Sequence, residues 1–237
     1  MKTHEPKGER LLFVGNSITI HGPAEDIGWT GNWGMAASAL EKDYVHLVVD
    51  SVANIRHRLP AFMVVNIADF ERGYDGFDLA VKLKEQAEFN PDTVIVAIGE
   101  NVPPLATKEA QTKFKHGMMS LLAFLKGDEQ RAIYVRSSFW PDTTKDLLMQ
   151  EACAMVGGVF IDISGLAKDK KCYARSERKI AHEGIGQHPG DRGMRAIADA
   201  ILAAMWPNKS PEPTAVGAVS SAVAVHVASR RWLSFFR

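Results

Sequence analysis

The stretch Thr93-Val94-Ile95-Val96-Ala97-Ile98-Gly99-Glu100-Asn101 decides the fold class. Its first six residues are all apolar or β-branched, and a glycine stops the run. Such a segment suits a strand covered by helices on both faces, as in a parallel sheet. Working outward, runs of the same kind recur at Leu11–Val14, Val45–Val49, Ala132–Val135 and Val159–Ile161. Helical patterns fall between them, at Trp33–Leu40, Lys108–Leu125, Thr143–Val156 and Asp191–Met205. In the second of these, Phe114, Met118, Leu121, Leu122 and Leu125 recur at helical spacing, and in the last Met194, Ile197, Ala198, Ile201 and Leu202 share one face. Five strands alternating with helices through right-handed crossovers predict an α/β fold: a three-layer α/β/α sandwich with a flavodoxin-like, doubly wound five-stranded parallel sheet.

The chain of 237 residues, 46% of them hydrophobic, is long enough to bury one substantial core. Basic and acidic side chains balance at 28 each. From Lys209 onward there are four basic residues (Lys209, Arg230, Arg231 and Arg237) and one acid, Glu212, which leaves residues 1–208 with 24 basic and 27 acidic side chains. Lys and Arg are scattered rather than striped, so neither a nucleic acid nor an anionic membrane is an expected partner. The two cysteines, Cys153 and Cys172, are expected as free thiols, with Cys153 buried on a helix. The first ten residues lack the apolar core of a signal peptide, and no run reaches the ~18 to 20 apolar residues of a membrane span. A cytoplasmic protein is the expectation, with export of a longer precursor left open. Residues 1–208 read as one α/β domain and 209–237 as an appended, mobile tail of low complexity.

Three blocks carry chemistry. Gly15-Asn16-Ser17-Ile18-Thr19 follows the first strand, at the sheet edge where doubly wound folds bind ligands. A serine there presents its hydroxyl, and its own N–H faces a developing oxyanion; the plainer reading is a helix cap. Gly99-Glu100-Asn101 leaves the central strand toward the same edge, where an asparagine amide can donate to an oxyanion or simply shape the turn before Pro103-Pro104. Gln187-His188-Pro189-Gly190-Asp191 precedes the last helix and offers the base that a serine nucleophile needs. No Walker loop, Gly-x-Gly-x-x-Gly or Gly-x-Ser-x-Gly elbow is present, and acids and histidines are not set at metal-ligand spacing. No cofactor and no metal are expected.

Together these blocks resemble the SGNH, or GDSL-like, hydrolase family across Arg10–Trp206. The resemblance implies Ser17 as nucleophile, Asn101 and the Ser17 N–H as oxyanion donors, and His188 as general base. Two positions depart from it. The family's orienting Asp, three residues before the histidine, falls on Ile185. That leaves a Ser–His dyad, helped by a backbone carbonyl, or a substitute acid, for which Glu183 is nearest and Asp191 weaker. The family's second oxyanion glycine, expected after the second strand, is missing from Asp50–Arg56, where Ala53 or Asn54 would have to supply the N–H. The loop Gly28-Trp29-Thr30-Gly31-Asn32-Trp33-Gly34 places two indoles near the nucleophile, to stack on a sugar or seal the loop onto the core, and Glu100 is a further candidate for substrate hydroxyls. The resulting expectation is a serine esterase acting on a small-molecule or carbohydrate ester, acetyl above all. The other reading is an SGNH-like module that binds a glycan or acyl ligand without catalysis. The sequence carries no signal of oligomeric state.

Overall fold

The structure, a computed structural model, describes residues 7–127 and 131–207. The expected tail from Lys209 lies outside the described residues. Five strands, β1 (Arg10–Gly15), β2 (Ala61–Asn66), β3 (Thr93–Ala97), β4 (Ala132–Arg136) and β5 (Val159–Ile161), form one parallel sheet in the order β2-β1-β3-β4-β5. The helices are α1 (Tyr44–Arg56), α2 (Ala68–Arg72), α3 (Leu79–Lys82), α4 (Lys84–Glu88), α5 (Lys108–Lys126), α6 (Thr143–Met155), α7 (Glu183–Gln187) and α8 (Asp191–Met205). Alternate residues of each strand face opposite layers. Leu11, Phe13, Ile95, Ala97 and Tyr134 pack with α1 and α8, while Leu12, Val14, Val94, Val96, Ile133 and Val135 pack with α5 and α6. This is the three-layer α/β/α sandwich of flavodoxin order.

Two predicted elements need correction. Val45–Val49 is not a strand: it lies inside α1, whose N-terminus is capped by the Asp43 carboxylate accepting from the His46 N–H at 2.8 Å. A short apolar run of this kind satisfies helix and strand templates alike, and packing decides. Here Val45, Val48, Val49 and Val52 are buried along one side of the helix. The second strand is Ala61–Asn66 instead, directly after Pro60 and at the sheet edge. Trp33–Leu40 is not a helix either. It is an irregular loop in which Ala36 has φ 74°, followed by a single 3₁₀ turn at Leu40–Lys42. Met35, Ala36 and Ala37 in this loop are nonetheless buried, the first two against Trp29, Ala174 and Ile185 and the third in the core that includes α1.

Strand order fixes where chemistry can occur. The chain leaves β1 for β2 on one side and enters β3 on the other, so the carboxyl ends of β1 and β3 flank the switch point where such sheets open a crevice. Gly15 pairs with Ala97 across that point. Both cysteines are buried and unbridged; burial of Cys153 on α6 pushes its thiol up to about 11. No helix among the described residues is long and apolar enough to cross a membrane.

Candidate active site

The turn that carries Ser17 begins where β1 ends. Gly15 sits so tightly there that a Cβ would collide with the Thr19 hydroxyl and the Ala97 carbonyl. Asn16, fully buried, builds the turn around itself. Its Oδ1 accepts from the Ile18 N–H at 3.1 Å, and its carbonyl accepts from Thr19 and Ile20 at 2.9 and 3.0 Å. This is an Asx-type turn, not a helix cap, and it leaves the Ser17 side chain half-exposed at the crevice. The Ser17 carbonyl is held by the Met35 N–H at 2.8 Å, while no described residue accepts the Ser17 N–H.

The last block comes to meet it. The Ser17 Oγ lies 2.9 Å from His188 Nε2, and His188 Nδ1 lies 2.7 Å from the Gly184 carbonyl oxygen. A carbonyl only accepts, so Nδ1 carries the proton and Nε2 presents its lone pair to the serine hydroxyl. The carbonyl is positioned because α7 is a single five-residue turn that ends at His188, whose own N–H donates to the Ile185 carbonyl at 3.0 Å. Beyond the ring, the His188 carbonyl accepts from Ala174 at 2.9 Å and Gly190 donates to Cys172 at 2.9 Å, which pins the Pro189 loop. Trp140 packs edge-on against the imidazole, with ring centres 5.3 Å apart. Although part of the ring reaches the surface, loss of solvation pushes the His188 imidazole below its ordinary 6.5, outweighing the opposing pull of the Gly184 carbonyl and the Glu100 charge. The group is therefore neutral at pH 7, the form a general base requires.

Neither acid proposed from the sequence touches this imidazole. Glu183 is exposed, with Oε1 accepting from Arg175 at 2.8 Å and from Gln187 at 2.7 Å. Asp191 spends its carboxylate on the Ser38 N–H and hydroxyl and on Lys42. Ile185 is 5% exposed and packs with Trp29, Met35, Ala36 and Ala174, so the place of the expected acid has become part of the core. Among the described residues no carboxylate hydrogen-bonds to His188.

Asn101 stands at the exit of β3, as expected, and its surroundings were not legible from sequence. Its Nδ2 donates to Glu71 Oε2 at 2.7 Å, and its Oδ1 accepts from Arg72 Nη2 at 3.3 Å. Glu71 is fully buried on α2, where burial and the neighbouring Glu100 charge push its carboxyl up. Glu100, by contrast, is not a surface residue that meets substrate. Its side chain is 3% exposed and paired at 2.7 Å with Arg136, itself 0% exposed. Burial alone would raise the Glu100 carboxyl, yet the Arg136 guanidinium and the N–H donors of Phe139 and Asn16 hold it below its ordinary value. Glu100 thus braces the Ser17 turn through Asn16 Nδ2 at 2.7 Å, and the Phe139-Trp140 loop through the Phe139 N–H at 2.7 Å.

Three further expectations are corrected. Ala53 lies in the interior of α1, where its N–H belongs to the helical ladder, and cannot line an oxyanion hole. Asn54 shares that helix. Trp29 is 7% exposed, donates to the His21 carbonyl at 3.0 Å and sits edge-on to Trp33, so it seals the loop rather than offering a face to a sugar. Trp33 donates to the Ala37 carbonyl at 3.1 Å and lines an apolar cavity of about 210 Å³ with Ile20, Leu40, Phe62 and Val64, whose wall includes neither Ser17 nor His188. The residues that sequence reasoning missed, Glu71, Arg136, Trp140 and the Gly184 carbonyl, carry no local motif; only Ile185, standing where an acid was expected, pointed to a backbone partner for the imidazole.

No family model matches the sequence, and no curated protein matches it. Solved structures do. A GDSL-like lipase described as putative, from Bacteroides uniformis, superposes with a TM-score of 0.53 at 15% identity, over 84% of this chain and 96% of that one. The lipase/acylhydrolase from Enterococcus faecalis gives 0.54 at 15% identity, over 87% of this chain and 100% of that one. A two-domain esterase active on acetylated mannans gives 0.56 at 12% identity, over 89% of this chain and 53% of the other. This chain therefore spans about half of that last protein and nearly all of the first two. The likeness is one of architecture: this chain shares the fold of the GDSL-like lipase, the lipase/acylhydrolase and the mannan-active esterase.

Proposed function

We propose that the protein is a serine ester hydrolase of the SGNH type, removing a small acyl group such as acetyl from a carbohydrate or another small ester. The observation that carries this reading is the 2.9 Å approach of Ser17 Oγ to a His188 Nε2 whose opposite nitrogen is fixed on the Gly184 carbonyl. A nucleophile, a neutral base and a third group orienting that base are the minimum for acyl transfer. Ser17 Oγ attacks the ester carbonyl carbon while Nε2 takes its proton. The oxyanion is received by the Ser17 N–H and the Asn101 amide. Collapse breaks the carbon–oxygen bond to the alcohol, which leaves with the proton from Nε2. Water, deprotonated by the same nitrogen, then releases the acid and restores Ser17. The acetylated-mannan esterase that shares the architecture supports an acetylated carbohydrate as the substrate class.

The reading is tested with a fluorophosphonate probe and p-nitrophenyl acetate. Covalent labelling that disappears in Ser17→Ala, together with turnover, is expected. An unlabelled, inactive wild type would instead favour the binding-module reading, which the lack of a carboxylate on His188 keeps in play. The pH profile gives a second check. Because the His188 imidazole is displaced below 6.5, kcat/KM should fall on the acid side with a midpoint below pH 6.5, as the base becomes protonated. A limb centred above pH 7 would contradict the buried, neutral base.

A further inference from the structure

The amide of Asn101 can serve an oxyanion only if its nitrogen, not its oxygen, faces the crevice. The two ends of an amide have nearly the same shape, so partners decide the orientation. Here both partners come from adjacent residues of α2. Arg72 Nη2, a donor only, stands 3.3 Å from Oδ1, and Glu71 Oε2, an acceptor, stands 2.7 Å from Nδ2. Turning the amide over would set donor against donor and acceptor against acceptor. With one Nδ2–H spent on Glu71, the second has no partner among the described residues.

The same carboxylate ties down the frame around that amide. Glu71 Oε1 accepts from the Gly99 N–H at 2.6 Å, from the Asn101 N–H at 3.1 Å and from Asn16 Nδ2 at 3.2 Å. One buried group therefore links the residue before the nucleophile to the turn that carries the oxyanion donor. We infer that Glu71 is a positioning residue for this oxyanion hole, acting through Asn101 by fixing which face of its amide meets the reacting carbonyl. The inference rests on the esterase reading above and extends it to a residue outside the three sequence blocks.

A double-mutant cycle separates this role from simple support of the turn. Glu71→Gln keeps one oxygen to accept from Gly99 and Asn101, so the turn persists, but its new amide nitrogen faces Asn101 Nδ2. Asn101 then presents Oδ1 to residue 71 and turns its nitrogen away. Loss of one oxyanion donor lowers kcat by about 10²- to 10³-fold in other hydrolases. The expected result for Glu71→Gln on p-nitrophenyl acetate is a kcat lower by about 100-fold with KM nearly unchanged. In an Asn101→Ala background the same substitution should change kcat by less than about threefold, because the amide it controls is gone. Equal losses in both backgrounds, or a wild-type kcat in Glu71→Gln, would overturn the inference. Should Glu71→Gln melt far below the wild type, the cycle is run with Glu71→Asp, which keeps the buried carboxylate but draws it back from Asn101 Nδ2. A kcat loss confined to the Asn101 background supports the role, and no loss or an additive one rejects it. A wild type that neither labels at Ser17 nor turns over defeats the esterase reading itself, whereas turnover with additive losses defeats only the role of Glu71.

Discussion

His188→Ala is expected to lower turnover of p-nitrophenyl acetate by about 10⁴-fold or more, Ser17→Ala by a similar factor, and the double variant no further than either alone. The reasoning begins with the hydrogen bond between them. A serine hydroxyl attacks only as its proton leaves, and at 2.9 Å the Nε2 lone pair is the acceptor in place. Without the imidazole the hydroxyl has no base, and without the hydroxyl the imidazole has no partner, so the two losses overlap instead of adding. Steady-state kinetics on the three variants decides the matter. A single variant that retained a rate within tenfold of the wild type would show that the reaction does not pass through this pair.

If Ser17 and His188 act as proposed, the Gly184 carbonyl sets the ceiling on that rate. It supplies two of the three services of a triad acid: it chooses the tautomer and it fixes the ring. The third, a full negative charge facing the imidazolium of the transition state, is missing, because a carbonyl brings only a dipole. Charge-assisted hydrogen bonds are about twice as strong as neutral ones, and the difference falls on the step in which His188 becomes positive. Glu100 offsets part of this from within the protein. Its charge draws the His188 imidazole upward, though burial remains the larger influence. Its pairing with Arg136 keeps the carboxylate ionised, and the adjacent cation cancels part of its field.

How much of this could be read in the sequence depends on range. The central run Thr93–Ile98 is buried on both faces, and that pattern is local, so the sheet and its class were legible from it. Ser17, Asn101 and His188 were legible because each lies at a strand exit or helix entrance within a short recognisable block. Val45–Val49 misled because β-branched residues favour a strand only where a sheet surface receives them. Behind the Asp43 cap the same valines cover one side of α1. That single misplacement moved the search for a second oxyanion donor onto Ala53, eight residues before the strand that begins at Ala61. Glu71 and Arg136 were out of reach for a different reason. Their roles arise from contacts across 28 to 36 positions of chain, with Gly99 and Asn101 in one case and Glu100 in the other. A charged residue in a sequence reads by default as exposed, and nothing local marks it as enclosed.

Ile185→Asp, which places a carboxylate three residues before His188 where the SGNH pattern has one, is expected to damage the protein rather than improve it. The side chain at 185 does not face the imidazole across an open gap. It is 5% exposed and packed with Trp29, Met35, Ala36 and Ala174, a cluster that closes the loop following Ser17 onto the α7 segment. An aspartate there either buries a charge with no partner or drags α7 outward, and the Gly184 carbonyl would leave Nδ1 with it. Unpaired buried charge combined with a lost apolar side chain costs about 3 to 5 kcal/mol. For a domain of this size, 1 kcal/mol moves the melting temperature by about 2 to 4 °C, so a fall of at least about 6 °C is expected. Activity should fall with it, since the same segment carries both the carbonyl and His188. Thermal melting and kcat on one preparation test both halves. An aspartate variant as stable as the wild type and faster would mean that residue 185 reaches Nδ1 after all, and that the dyad is a triad lacking one carboxylate; a destabilised, slower variant means that the core has taken the acid's place and the backbone its task.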